Sequence, residues 1–370
     1  MRDSHGVTRV VGVAKLIRAA RVIGAALLIA GCAPEPATDV ASEEPESPMI
    51  GVDPGLVPKS FSDAAGAPRV ALVKMPYHGG RNVPEKSGNP DYLEAGGIAD
   101  MLEGDGAALK TVATVALSPE DERQYGEWNR LGLANGHLQD IVAANEADNW
   151  LTVGLLGNCN SVIGILAGLQ GEGSGKRAVG LVFIDAHGDF NTPETTLSGM
   201  LGGMPVAVSA GLGLQNLRRT SGLEVPLPTE HIVLGAVRDL DSLEAELIAG
   251  TDVRMITTDD IRGLSPEMHA QMRRLSESTD VIYVHIDMDV LDPAEVPGHP
   301  LTVADGPTSL ELAAALTEMF RYPKVAALGI ASTPWGENDP DGVSRQAAYN
   351  LIRGAVAGLT ARPRPAETGS

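Results

Sequence analysis

Cysteine is nearly missing from this chain of 370 residues, with only Cys32 and Cys159 present. A single pair cannot build a disulfide framework. Aromatic residues make up only 4% of the chain, against 43 glycines, a balance that suits a parallel sheet with closely packed helices. Basic residues are also short: 28 Lys and Arg face 48 Asp and Glu, for a net charge of −20. Such a surface disfavours nucleic acid and anionic lipid as electrostatic partners. Long apolar runs are absent too, since Val22 to Ala30 is too short to span a bilayer.

That short run has a function of its own. Arg9, Lys15, Arg18 and Arg21 precede it and Ala30-Gly31-Cys32 closes it, the layout of a signal peptide over residues 1–31. Cys32 after Ala-Gly resembles the lipobox of bacterial lipoproteins, which implies lipidation at Cys32 and an exported protein anchored in the cell envelope. In an ordinary cleaved signal Cys32 would be incidental. Loss of five basic residues and one acidic residue with the signal takes the charge from −20 to −24. Residues 32–68, with Pro34, Pro36, Pro45, Pro48, Pro54 and Pro58 among Glu35, Glu43, Glu44 and Glu46, read as a disordered tether. Residues 69–360 read as one domain and 361–370 as a flexible tail.

Within that domain eight β-rich runs alternate with amphipathic stretches. The runs are Val70–Lys74, Val112–Ala116, Leu151–Leu155, Gly180–Ile184, His231–Ala236, Arg254–Thr257, Val281–Ile286 and Lys324–Ile330. Helical patterns include Tyr92–Leu102, Leu243–Ala249, Pro266–Leu275 and Ser309–Phe320. The alternation predicts a three-layer α/β fold, a mostly parallel sheet of about eight strands with helices on both faces. Ligands in such folds gather beyond the carboxyl ends of the strands. Gly171 to Lys176 imitates a phosphate loop, but Gln170 stands in place of its first glycine and Arg177 in place of its Ser or Thr. It reads as a turn.

Two strand ends carry chemistry. Leu181 to Ile184 runs into Asp185-Ala186-His187-Gly188-Asp189, and Val281 to Ile286 runs into Asp287-Met288-Asp289. Together they deliver four carboxylates and an imidazole. Crowded carboxylates raise one another's pKa unless cations stand among them. One Asp-x-His alone is commonly a loop cap, but two such motifs, each closing a hydrophobic strand, predict a metal site.

These motifs extend into a recognisable pattern. Asp185 to Pro193 with Ser198-Gly199 and Gly203-Met204-Pro205, His285 to Pro293 with Pro297 to Pro300, and Arg238 to Asp241 together resemble the arginase/agmatinase (ureohydrolase) superfamily over roughly residues 69–355. The resemblance implies a pair of divalent ions, manganese in the first instance, activating a hydroxide. It implies that Asp185 and Asp287 bridge the ions, that His187 and Asp289 serve one, and that Asp189 serves the other and takes up a proton in turnover. Asn191, Ser198 and Asp241 match positions that hold the amino-acid end of the substrate in that family. A homo-oligomer is also implied.

The chain departs from that pattern at four places, one of them Met200, where the family has a substrate-contacting asparagine. Cys159 stands where the family has its first metal histidine, so zinc or iron becomes an option beside manganese; a buried cysteine with no ligand role is the other reading. Gly202 replaces a histidine thought of as a proton shuttle, and His299 in the turn after the second motif is the candidate to replace it, unless it is a solvent-exposed bystander. The glutamate that faces a guanidinium in arginases falls at Ser332, which weakens the case for arginine itself, because an unpaired buried guanidinium costs several kcal/mol.

The expected activity is metal-dependent hydrolysis of C–N bonds in small guanidino or amidino compounds, releasing urea or ammonia. Two other readings stand beside it. One is a single-metal, deacetylase-like amidohydrolase built on Asp185, His187, Asp287 and Asp289; the other is a degenerate cell-surface protein that binds metal or ligand without turnover.

Overall fold

The computed structural model describes residues 50–173 and 176–362. Eight strands form one sheet: β1 (Arg69–Met75), β2 (Ala108–Thr114), β3 (Leu151–Leu156), β4 (Val179–Ile184), β5 (Ile232–Gly235), β6 (Arg254–Ile256), β7 (Val281–Asp287) and β8 (Val325–Ala331). They run in the order β2-β1-β3-β8-β7-β4-β5-β6, and every neighbouring pair is parallel. Every residue of β3, β4, β7 and β8 is buried. Unbroken apolar runs of this kind are what a sheet covered on both faces requires. The three-layer α/β expectation holds, and each of the eight expected runs overlaps a strand.

The strand order places the two halves of the chain on opposite sides of the sheet. The chain lays down β1 to β3 on one side and β4 to β6 on the other, then returns to fill the middle with β7 and β8. Side chains beyond the carboxyl ends of β3, β8, β7 and β4 therefore converge from chain positions far apart.

Helices start where capping chemistry is present. Thr308 Oγ1 accepts the Glu311 N–H at 3.2 Å while Glu311 Oε2 accepts the Thr308 N–H at 2.8 Å, a reciprocal cap that opens Ser309–Phe320. The helix expected over Tyr92–Leu102 is instead two, Asn89–Ala95 and Ile98–Gly104. Gly97, at φ 91°, makes the break in a backbone region that L side chains rarely enter. β2 starts four residues before Val112–Ala116 and ends two before it, and Val115 and Leu117 are buried after the strand rather than within it. Helices Glu127–Ala147, Val162–Gln170 and Val343–Thr360 complete the layers. Val162–Gln170 is buried all round, so it has no polar face for a helical period to reveal.

Both ends of the expected domain differ from the sequence reading. Part of the tether expected over 32–68 lies against the domain: Phe61 is buried, its N–H donates to Asn149 Oδ1 at 2.9 Å, and the Asp53 N–H donates to Asp280 Oδ1 at 2.8 Å. One buried ring anchors a stretch whose composition otherwise resembles linker. Arg362, placed in the expected tail, donates to the backbone oxygens of Phe320 at 2.7 Å and Val325 at 2.6 Å. The signal peptide, Cys32 and residues 363–370 lie outside the described residues. No helix among the described residues is long and apolar enough to cross a membrane.

Candidate metal centre

Each acidic motif leaves its strand through the same local device. The Asp185 carboxylate turns back to accept the His187 N–H at 2.7 Å, and the Asp287 carboxylate accepts the Asp289 N–H at 3.2 Å. An aspartate that hydrogen-bonds the backbone two residues on makes a tight turn. Residues i and i+2 of each motif are thereby brought to one point. Asp189 then adopts φ 47°, and the chain turns away with its carboxylate left inside.

Three groups of ligand atoms result, the atoms of each group within 4.8 Å of one another: Cys159, Asp185 and Asp287; Asp185, His187 and Asp289; and Asp287, Asp289 and His299. His187 Nδ1 lies 3.3 Å from Asp185 Oδ1 and 3.2 Å from Asp289 Oδ2. His299 is inside rather than at the surface, with Nε2 3.9 Å from Asp287 Oδ1 and Nδ1 3.9 Å from Asp289 Oδ2. Cys159 Sγ donates to Asp287 Oδ2 at 2.8 Å, and Ser332 Oγ donates to the same oxygen at 2.9 Å. Asp189 belongs to none of the three groups, although it lines the same cleft.

Burial and mutual repulsion dominate the electrostatics. Burial, then the charge of Asp287, raises the Asp185 proton affinity, while burial and three neighbouring carboxylates push Asp189 well above the ordinary range. Burial, then the charge of Asp185, carries Asp289 up to about 6. Burial pulls His187 down, but its hydrogen bonds to Asp185 and Asp289 overcome that and take it to about 11. Asp289 Oδ1 is buried with no hydrogen-bond partner among the described residues. A cluster of four buried carboxylates, one of which has an unpartnered oxygen, has the donor set of a divalent cation site.

Above the cluster opens a cleft of about 510 Å³. Asn191 lies on its wall, with Nδ2 3.2 Å from Asp241 Oδ2, and Ser198 stands exposed at its mouth. Gly202 faces Asn158, whose side chain would lie 3.4 Å from a Cβ there. Glu244 is a cleft residue that sequence reasoning passed over. It is buried, accepts the Phe190 N–H at 2.8 Å, and steadies the loop that carries Asp189. Its spacing from Asp241 is that of a helix cap, and the cap is present, so the sequence signal pointed to structure alone.

Beneath Cys159 lies a second pair that the motifs contained without assigning. His285 Nε2 is 3.3 Å from Cys159 Sγ, and His285 Nδ1 is 2.7 Å from the Tyr283 hydroxyl. The His285 ring stacks on Phe183 at 4.8 Å between centroids. Alternation along β7 puts Tyr283, His285 and Asp287 on one face. Burial lowers His285 to about 3.

Fold and centre together define a hydrolase that works through divalent metal on C–N bonds outside peptides. The chain belongs to the arginase family, whose model matches residues 69–354. It is 35% identical to the arginase of Bacillus caldovelox over 257 residues, which cover 65% of this chain and 83% of that one. The native structure of Bacillus caldovelox arginase at pH 5.6 matches with a TM-score of 0.66 at 25% identity, over 78% of this chain and 98% of that one. Formimidoylglutamase of Bacillus subtilis shares the fold, with a TM-score of 0.61 at 19% identity over 86% of this chain and 97% of that one.

Proposed function

We propose that this chain hydrolyses a small guanidino or amidino compound other than arginine, with two divalent ions held at adjoining positions. Asp185, His187 and Asp289 would hold one, the position suited to manganese; Cys159, Asp185 and Asp287 would hold the other. When bound, the ions supply an activated hydroxide and stabilise developing charge. The observation that carries this reading is the convergence of both acidic motifs, with the unpartnered Asp289 Oδ1, at the floor of a cleft large enough for a small molecule.

The chain's own groups divide the remaining work. Asp189 takes up a proton, a task suited to a buried carboxylate whose proton affinity is raised. His299, 3.9 Å from both Asp287 and Asp289, exchanges that proton with the cleft in place of the histidine missing at Gly202. Asn191, Ser198 and Asp241 hold the polar end of the substrate. Ser332, bound to Asp287, offers no charge to a guanidinium, and this favours a substrate other than arginine. The test is urea and ammonia release by the manganese- and zinc-loaded protein over a panel of guanidino and amidino compounds. Turnover of arginine in preference to all others, or of none, would overturn the proposal.

A single-ion amidohydrolase is the second reading, because Asp185, His187 and Asp289 form a complete ligand group without sulfur. Release of acetate from an amide panel by protein carrying one ion per chain would favour it. We also propose lipidation at Cys32, attachment to the bacterial cell envelope and self-association. Fatty-acid labelling that survives Cys32→Ala would refute the first, and a monomeric mass in solution the last.

A further inference from the structure

The Cys159 side of the centre has a supporting shell unlike that of an oxygen-rich site. Cys159 is buried and directs its S–H to Asp287 Oδ2 at 2.8 Å. With its only proton so used, the sulfur can serve His285 Nε2, 3.3 Å away, only as an acceptor. Nε2 therefore carries the ring proton. A neutral imidazole then has a bare Nδ1, which accepts from the Tyr283 hydroxyl at 2.7 Å. The directions close without ambiguity: Tyr283 to His285, His285 to Cys159, Cys159 to Asp287.

The surrounding fold is shaped around this relay. Gly329, the register partner of His285 on β8, is bare because a Cβ there would overlap the Tyr283 hydroxyl and stand 3.1 Å from His285 Nδ1. Phe183, the partner on β4, stacks on the opposite ring face. The imidazole is thus gripped between neighbouring strands with its N–H aimed at sulfur. Burying a phenol, an imidazole and a thiol toward the carboxyl edge of a sheet is costly unless each is satisfied, and among the described residues each is satisfied by the others and by Asp287.

We propose that Tyr283 and His285 are positioning residues for a sulfur metal ligand, and that they make the Cys159 position selective for Zn2+, Fe2+ or Co2+ over Mn2+. The inference rests on the metal-hydrolase reading and adds which ion the second position takes and what holds the ligand. A divalent ion bound there would take the sulfur as thiolate, its proton leaving to solvent, and the His285 N–H, 3.3 Å away, would donate to that thiolate and hold it in place. Ligand-orienting contacts of this kind are worth roughly 10–100-fold in metal affinity. Thiolate sulfur favours zinc, iron and cobalt over the hard manganese ion.

Co2+ is the probe, because sulfur-to-cobalt charge transfer absorbs in the near-ultraviolet and oxygen or nitrogen ligation does not. The full chain is titrated with Co2+ alone, then with Mn2+ as competitor. The expected result is two cobalt ions per chain, with a charge-transfer band that Cys159→Ser abolishes and excess Mn2+ fails to displace. His285→Ala should shift the band and weaken the sulfur-side ion roughly 10–100-fold. His285→Gln, which retains an N–H donor, should recover part of the loss. Tyr283→Phe keeps the packing and should give a smaller shift in the same direction, and it carries the test if His285→Ala does not fold. A band unchanged in position and affinity in both His285→Ala and Tyr283→Phe overturns the proposal. Cobalt bound without any sulfur band overturns it while leaving the metal-hydrolase reading intact, and no cobalt bound at all overturns both.

Discussion

Ser332 Oγ and Cys159 Sγ donate to the same oxygen, Asp287 Oδ2, from the strand ends on either side of the β3–β8 junction. One carboxylate oxygen is thus held by two short donors at 2.9 and 2.8 Å before any cation arrives. Ser332 achieves this in a left-handed backbone conformation, φ 59°. Ser332→Ala should keep the strain and lose the hydroxyl, lowering metal affinity by roughly tenfold. Ser332→Gly should relieve the strain and melt above Ser332→Ala. Isothermal titration with Zn2+ and thermal melts on the two variants check both statements.

Asp287→Asn should be the most damaging single change at the centre. An amide keeps the shape and can still accept from Cys159, but it removes a charge shared by two ligand groups. Elemental analysis after gel filtration should find the bound metal lost, with the melting temperature of the metal-free protein equal to or above wild type. A full complement of metal in this variant would refute the ligand assignment.

Stability of the metal-free protein should fall as the pH rises from 6.5 to 9. Asp189 has its folded pKa raised well above 3.8, and His187 goes from 6.5 to about 11. A raised folded pKa contributes stability below the unfolded value and loses it as the pH climbs through the folded one. Both groups therefore lose their contributions in the same direction. His285 has the opposite sign, but with a folded value of about 3 its contribution is already complete above 6.5. Melting in chelator across this range should show the decline, and saturating Zn2+ should flatten it.

Gly329→Ala should destabilise by about 1–3 kcal/mol, because the added methyl overlaps the Tyr283 hydroxyl. Combining it with Tyr283→Phe removes the overlapping oxygen, and the pair should recover part of the loss. Chemical denaturation of the single and double variants measures the coupling; strict additivity would mean the hydroxyl is not the obstacle.

Much of the fold and the centre was legible in the amino-acid sequence because two kinds of signal were strong. Apolar strands such as Leu181 to Ile184, each followed at once by carboxylates, announced both the parallel sheet and its functional edge. Val162–Gln170 was silent because a helix buried all round has no amphipathic period. Phe61 was silent because one ring in a proline- and acid-rich stretch does not alter the composition. His285 and Tyr283 stood in plain view within the second motif, yet their role depends on Cys159, 126 positions away from His285. Only the pairing of β3 and β7 with β8 brings those positions together.

The order of the strands also sets a schedule. β8 is hydrogen-bonded to β3 on one side and β7 on the other, so until it is in place the sheet exists as two unconnected leaves. Cys159 belongs to one leaf and the two acidic motifs to the other. A chain cut short before β8 would keep the Asp185, His187 and Asp289 group, carried by the adjoining β4 and β7, but would lack the strand that brings Cys159 to Asp185 and Asp287. In the finished protein an ion held by Cys159, Asp185 and Asp287 would be a rivet across that seam, whereas one held by Asp185, His187 and Asp289 would sit within a single leaf.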